Sequence, residues 1–241
     1  MSTVKALVLG GSGNVGQKVV SALCASTDPV YSDITLISRR PLPEYNDPSN
    51  SMGKVTVKVV ENIDNIGDEN LGGYDSAFML LGVGKASQAS KDELLRVDST
   101  IPVAFAGACR KGGVQHFSTL SSVGADISLQ YSSITRSGAG GGWYLHVKGV
   151  MEEGVIGQGF TSVAVIRPAG IYPGNSNTPE TLGWFNEKIN FMLPGKYVTA
   201  STAVIANAMA ATMKKQLSGA VTDTTILDGG QEIRDVAGNE V

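Results

Sequence analysis

The stretch that decides the fold stands at the start of the chain, where residues 4–16 read Val-Lys-Ala-Leu-Val-Leu-Gly-Gly-Ser-Gly-Asn-Val-Gly. The apolar run is typical of a buried parallel strand. The glycines that follow permit a tight turn, close approach of the backbone to a pyrophosphate, and close packing of the next helix on the sheet. We expect that helix to extend to about residue 26 and to point its first amides at the phosphates. The stretch therefore predicts a dinucleotide site formed by Gly10, Gly13, Asn14, Val15 and Gly16.

Apolar runs recur along the rest of the chain, and helical patterns separate most of them. The runs cover residues 5–9, 34–37, 55–60, 76–81, 116–120, 162–166 and 225–227. Alternating strands and helices are typical of a doubly wound parallel sheet. We therefore predict an α/β fold, a Rossmann-type parallel sheet with helices on both faces, in a single domain over residues 1–241.

The helical pattern from about residue 87 to residue 111 contains Pro102. A proline is tolerated in the first turn of a helix, where its missing N–H would have no partner. Ser99 as an N-cap would place Pro102 in that turn, so we expect a kink or break near Asp98. Residues 138–142 are too rich in glycine for regular structure and are expected to form a loop.

Composition narrows the class of protein. The 241 residues are 42% hydrophobic and carry a net charge of −3, without the concentrated basic face that nucleic acid requires. No apolar stretch approaches the roughly 18 residues of a membrane span, and no signal peptide precedes the first strand. We therefore expect a soluble cytoplasmic protein that binds neither nucleic acid nor membrane. The histidines and the two cysteines have no metal-binding spacing, so no metal is expected.

The end of the second strand bears on the choice of dinucleotide. It reads Ile-Ser-Arg-Arg over residues 37–40, and two guanidiniums beside Ser38 suit the 2′-phosphate of NADP. An acidic residue at this place would favour NAD, but Asp33 comes before the strand, some 16 Å from the expected cofactor edge at about 3.3 Å per residue. Arg39 and Arg40 therefore predict NADP(H), although solvated surface charge is the alternative.

Tyr144 and Lys148 are spaced so that a helix would place both on one face. A phenol with a pKa near 10 is a poor proton donor or acceptor at pH 7, and a neighbouring ammonium stabilises the phenolate. At about 4 Å and an effective dielectric constant of 20, the attraction is roughly 4 kcal/mol. The pair therefore predicts a proton-transfer site.

Two serines follow the strand at 116–120, at the edge of the sheet where ligands of open α/β folds bind. With fingerprint glycines, a strand-end serine and Tyr-x-x-x-Lys in this order, nearly the whole chain resembles the short-chain dehydrogenase/reductase superfamily. The resemblance implies that Ser122, rather than Ser121, polarises a substrate carbonyl and that Tyr144 is the general acid/base. It also implies that Lys148 modulates Tyr144 and binds the nicotinamide ribose. The superfamily's helix asparagine falls on Asp98, a departure from the pattern.

The same resemblance implies further cofactor contacts at the strand ends. They would bind adenine, the adenosine ribose and the nicotinamide, with Glu61 as an alternative to Asn62. These residues are Asn62, Ile63, Leu81, Gly82, Pro168, Ala169 and Ile171.

Within the superfamily, residues 81–86, 96–98, 120–126 and 144–149 are similar to the Tat-interacting-protein family of atypical members. The similarity implies an NADP-binding, single-domain oxidoreductase. Residues 174–198 would build the substrate pocket, and their apolar and aromatic character suggests a small hydrophobic carbonyl substrate, unless these residues only cap the core. A homodimer is compatible with this interpretation.

Two other functions fit parts of the sequence. An NADP-binding sensor or scaffold with little or no turnover would need the cofactor site but not a proton donor. A nucleotide-sugar epimerase would use the same serine, tyrosine and lysine, but it usually has a larger C-terminal domain than the roughly 65 residues after Gly174 supply. We therefore expect an NADP-dependent reductase.

Overall fold

A computed structural model describes residues 3–45, 54–84, 86–129, 142–172 and 193–238. The loop expected over residues 138–142 lies outside these ranges except for Gly142, which begins a helix. Most of the pocket segment expected over residues 174–198 also lies outside them.

A parallel sheet forms the centre of the molecule. Its strands are β1 (Thr3–Leu9), β2 (Val30–Ser38), β3 (Val55–Val59), β4 (Ser76–Met79), β5 (His116–Leu120), β6 (Ser162–Arg167) and β9 (Thr224–Asp228), and a separate parallel pair consists of β7 (Ile171–Tyr172) and β8 (Ala200–Ser201). The seven strands lie in the order β3-β2-β1-β4-β5-β6-β9. The chain thus leaves β1 toward one side of the sheet and returns to β4 on the other, which makes the gap between β1 and β4 the topological switch point.

Helices cover both faces of this sheet, which confirms the doubly wound α/β fold. They are α1 (Asn14–Ala25), α2 (Lys91–Leu95), α3 (Ile101–Lys111), α4 (Gly142–Ile156), α5 (Thr202–Leu217) and α6 (Gly230–Gly238). Val8 of β1 belongs to a buried cluster with α1, α5 and α6, whereas its neighbour Leu7 belongs to a cluster with α3 and α4. Successive side chains of a strand point to opposite faces, so the apolar runs supply both cores. In the described part of the chain, no helix is long and apolar enough to cross a membrane.

The kink or break expected near Asp98 is found as a π-helical turn that does not interrupt the helix. The chain stays helical between α2 and α3 through a π-helical turn, Arg96–Thr100, and Ser99 lies inside that turn instead of capping α3. Pro102 does lie at the start of α3, as expected. A π-helical turn is wider than an α-helical one, which accommodates the residue without an N–H. The turn buries Asp98 to 2% exposure, on the side of the sheet's carboxyl edge.

Candidate functional site

A cleft of about 320 Å³ opens where β1, β4 and β5 end, at the topological switch point. We call it the central cleft. One wall is the start of α1, another is the segment after β4 over residues 80–84, and a third carries Tyr144 and Lys148 of α4. The fold thus brings the glycine-rich turn and the tyrosine-lysine pair to the same cavity, although they lie far apart in the sequence.

The glycine-rich turn fits a pyrophosphate. Gly10 has a φ of 88°, and a Cβ there would lie 2.7 Å from the carbonyl carbon of Leu80. A Cβ on Gly16 would lie 2.2 Å from the carbonyl oxygen of Gly10, so the helix can approach the turn only without a side chain there. Gly13 is the N-cap of α1 and supplies no side-chain cap, and no acidic residue stands in the first turn. The start of α1 thus faces the cleft without a side-chain cap from Gly13, the arrangement in which helix N-termini bind anions.

A second cavity, which we call the arginine pocket, shares Leu81 with the central cleft. Its walls include Gly10, Ser38 and Ile63 and three arginines, Arg39, Arg40 and Arg96. Arg96 was not foreseen; its Nη1 lies 2.6 Å from Oδ1 of Asp64, which holds the guanidinium in place. Because Arg96 is paired with Asp64, Arg39 and Arg40 supply the net positive charge of the pocket.

Lys148 lies at the floor of the central cleft between a tyrosine and a carboxylate. Its Nζ is 5.8 Å from the centre of the Tyr144 ring and 2.8 Å from Oδ1 of Asp98. The other oxygen of Asp98 accepts a hydrogen bond of 3.1 Å from the backbone N–H of Val83. Burial lowers the pKa of Lys148, but its interactions with Tyr144 and with the Asp98 carboxylate outweigh burial, so the pKa is raised and the ammonium stays charged at neutral pH.

The two serines are placed differently from expectation. Ser121 lines the central cleft, whereas Ser122 does not. The Ser121 hydroxyl donates to Oε1 of Glu152 at 2.5 Å, whereas the Ser122 hydroxyl makes a 3.5 Å contact with the carbonyl oxygen of Val123. Neighbouring residues in extended chain face opposite ways, so a sequence pattern that allows either serine does not determine which one reaches the cavity.

Glu152, which is buried, and Arg167, which is partly exposed, form an ion pair next to Ser121 that sequence reasoning missed. Arg167 Nε donates to Oε1 of Glu152 at 2.9 Å, and its Nη2 donates to Oε2. The hydrogen bond with Glu152 raises the pKa of Arg167. A signal was present, because Glu152 follows Lys148 by four residues and so lies on the same helix face.

The remaining predicted cofactor contacts divide into two groups. Leu81, Gly82 and Ile171 line the central cleft. Asn62, Pro168 and Ala169 line neither cavity. The side chain of Asn62 instead accepts from the N–H of Asp64 and caps the 3-10 helix Ile63–Asp68, and the carbonyl oxygen of Pro168 accepts from the N–H of Val123.

Known proteins to which this chain is similar in sequence include a yeast and a rat protein. "Protein FMP52-1, mitochondrial" of Scheffersomyces stipitis is 28% identical over 179 residues, which is 74% of this chain and 72% of that protein. Protein HTATIP2 of Rattus norvegicus is 26% identical over 218 residues, or 90% of this chain and 83% of that protein. No protein-family profile matches the chain. The FMP52 relatives are named mitochondrial, so the cytoplasmic location expected from the sequence is wrong.

Solved structures share the fold at low sequence identity. ElxO with NADP bound is similar to this chain with a TM-score of 0.67 and 13% identity, over 95% of this chain and 99% of that one. At this identity the likeness shows the fold alone.

Proposed function

Because the chain resembles the Tat-interacting-protein family of atypical short-chain dehydrogenases/reductases, with HTATIP2 and FMP52 among its homologues, we propose that it is an NADP(H)-dependent reductase of a small hydrophobic carbonyl compound. The observation that carries the proposal is the position of Tyr144 and Lys148 in the same cleft as the glycine-rich turn and the start of α1. When bound, NADPH supplies the hydride. Tyr144 acts as the general acid and protonates the carbonyl oxygen.

The cofactor would extend across both cavities. The first amides of α1 would bind the pyrophosphate, and Arg39 and Arg40 would bind the 2′-phosphate. Lys148 holds the nicotinamide ribose. Of the strand-end residues, Ile63, Leu81 and Gly82 would border the adenosine, and Ile171 would border the nicotinamide.

We assign the substrate-polarising hydroxyl to Ser122, although Ser121 is the serine on the cleft wall. A substrate carbonyl needs a hydrogen-bond donor, and the single proton of Ser121 is already donated to Glu152. The 3.5 Å contact of Ser122 is long for a hydroxyl donor, so little is lost when Ser122 turns to a substrate oxygen.

Paired serine variants separate the two assignments. We expect Ser122→Ala to lower kcat by about 100-fold, because one donor to a developing oxyanion is worth that much. Ser121→Ala should lower kcat less and should lower the unfolding free energy by about 1.5–3 kcal/mol, the usual worth of a hydrogen bond to a charged group. Steady-state kinetics and urea unfolding of both variants check this. A larger kcat loss in Ser121→Ala would assign the role to Ser121.

An exposed aliphatic side chain in the central cleft supports the proposal that the substrate is apolar. Ile171 lines the cleft and is 38% exposed. Large aliphatic side chains at a cavity mouth gain free energy when an apolar ligand covers them.

A panel of aldehydes, ketones and quinones tests the proposed function. NADPH oxidation is followed at fixed enzyme concentration, with the heat-denatured protein as the blank. We expect turnover with at least one apolar carbonyl compound and little with charged ones. NADPH binding without oxidation across the whole panel would contradict the proposal and favour a sensor.

A further inference from the structure

The ion pair between Asp98 and Lys148 is the most buried charge pair near the central cleft in the described part of the chain. The two side chains are 3% and 5% exposed, and their charged atoms are 2.8 Å apart. Taking two charges out of water costs several kcal/mol for each ion, and their mutual attraction compensates only when both partners are present. A buried pair is thus weak evidence for stability, and its place beside Tyr144 points to another role.

Asp98 is also held in position on its other side. Its Oδ2 accepts from the N–H of Val83 in the segment after β4, and a Cβ on Gly82 would lie 3.2 Å from its Oδ1. The π-helical turn that carries Asp98 packs on α4, which carries Lys148. Single π-helical turns are frequent at functional sites. The carboxylate is therefore a fixed point against which the lysine is placed.

Few other titratable groups face Lys148. On α4 they are Tyr144 and Glu152, and Glu152 is itself paired with Arg167. From the neighbouring helices, Lys91 of α2 lies over the Trp143 ring, and Arg110 of α3 donates to the carbonyl oxygen of Gly159. Among the described residues, Asp98 is the only carboxylate in direct contact with the ammonium.

We propose that Asp98 is a positioning residue of the reductase site, which keeps Lys148 charged and stationary beside Tyr144 and so sets the upper pH limit of turnover. The effect on turnover rests on the proposed function, whereas the effect of Asp98 on the charge of Lys148 does not. Without the carboxylate, burial of Lys148 is opposed only by the more distant groups, so its ammonium should lose its proton at a lower pH.

Asp98→Asn is the variant that tests this, because asparagine keeps the shape and an acceptor for the N–H of Val83. Glu69→Gln is the matched control, since it removes the carboxylate from a half-exposed pair with Lys58 at 2.8 Å. Both variants are unfolded with urea from pH 7 to pH 10.

The sign of the pH dependence follows from proton linkage. In the parent protein the raised pKa of Lys148 means that its stabilisation is fully present below the unfolded pKa of about 10.4 and is lost only as the pH rises through the higher folded pKa. In Asp98→Asn, the lysine's folded pKa falls below the unfolded one, so the variant regains stability as the pH rises. We expect the stability deficit of Asp98→Asn at pH 10 to be less than about half of that at pH 7. Glu69→Gln should show no such trend.

The kinetic measurement uses a carbonyl substrate found in the panel. We expect the alkaline limb of kcat/KM for Asp98→Asn to lie at least about one pH unit below that of the parent, because the site loses a proton more easily. A deficit that does not change with pH, or an alkaline limb that stays in place, would overturn the inference.

The unfolding series also covers a parent protein without reductase activity and a variant that does not fold. If the parent protein reduces nothing, the proposed function fails, and the unfolding series still decides whether Asp98 holds the lysine charged. If Asp98→Asn does not fold at pH 7, the double variant Asp98→Asn, Lys148→Met should fold, because it carries no unpaired charge. Failure of the double variant to fold would contradict the role of charge.

Discussion

Replacing Tyr144 with phenylalanine is expected to leave NADPH binding within about threefold of the parent and to lower kcat by about 10²- to 10⁴-fold, the usual worth of a positioned general acid. The change removes one hydroxyl from the wall of the central cleft and keeps the ring beside Lys148. The cofactor contacts at the glycine turn and the arginine pocket are untouched. Stopped-flow NADPH fluorescence and steady-state oxidation of NADPH measure the two effects separately.

Tyr197→Phe is the matched control for this result. Tyr197 is 54% exposed and does not line the central cleft, so its hydroxyl should not matter to turnover. Equal turnover of Tyr144→Phe and the parent protein would remove Tyr144 from the mechanism. Loss of NADPH binding in Tyr144→Phe would show instead that the tyrosine holds the cofactor.

The second large effect is expected from the double variant Arg39→Ala, Arg40→Ala. A charge-assisted hydrogen bond contributes about 1.5–3 kcal/mol, so the pair should account for a preference of about 100-fold or more for NADPH over NADH. The variant should bind NADH as the parent does and NADPH only as tightly as NADH. Isothermal titration with both cofactors gives the four dissociation constants.

The control for net charge is Lys58→Ala, Lys214→Ala, which removes two positive charges outside the arginine pocket. This variant should keep the preference for NADPH. Equal affinity of the parent protein for NADPH and NADH would refute the assignment of the arginines. Raising the salt concentration should weaken NADPH binding more than NADH binding in the parent, because the arginines are exposed and their charges are screened.

The fold could be predicted because its strands and its glycine-rich turn are indicated by short stretches of sequence. A parallel strand that is buried on both faces reads as an apolar run, and the runs at 5–9 and 116–120 both become strands of the sheet. The glycine spacing after β1 was equally informative, since a Cβ on Gly16 would collide with the carbonyl oxygen of Gly10. The end of α2 was predicted less well, because whether Pro102 breaks a helix or widens one turn depends on what packs against it.

The site was predictable only where its residues share an element. Tyr144 and Lys148 stand on one helix, so their spacing indicated that they lie on one face. Asp98 and Arg96 reach the cavities through the packing of the π-helical turn against α4 and the strand ends, and nothing in their own neighbourhood in the sequence indicates a partner. Which of Ser121 and Ser122 faces the cleft depends on the register of the strand end. A shift of one residue exchanges the two side chains, and the sequence pattern does not fix the register to one residue.

A crystal structure with NADP bound tests the central claim most directly. We expect the pyrophosphate at the first amides of α1, the 2′-phosphate between Arg39 and Arg40, and the nicotinamide in the central cleft with its ring facing the hydroxyl of Tyr144. A reacting carbonyl should fit between them at about 3–3.5 Å from the ring carbon that carries the hydride. A nicotinamide that lies outside the central cleft, or a Tyr144 hydroxyl turned away from it, would contradict the account.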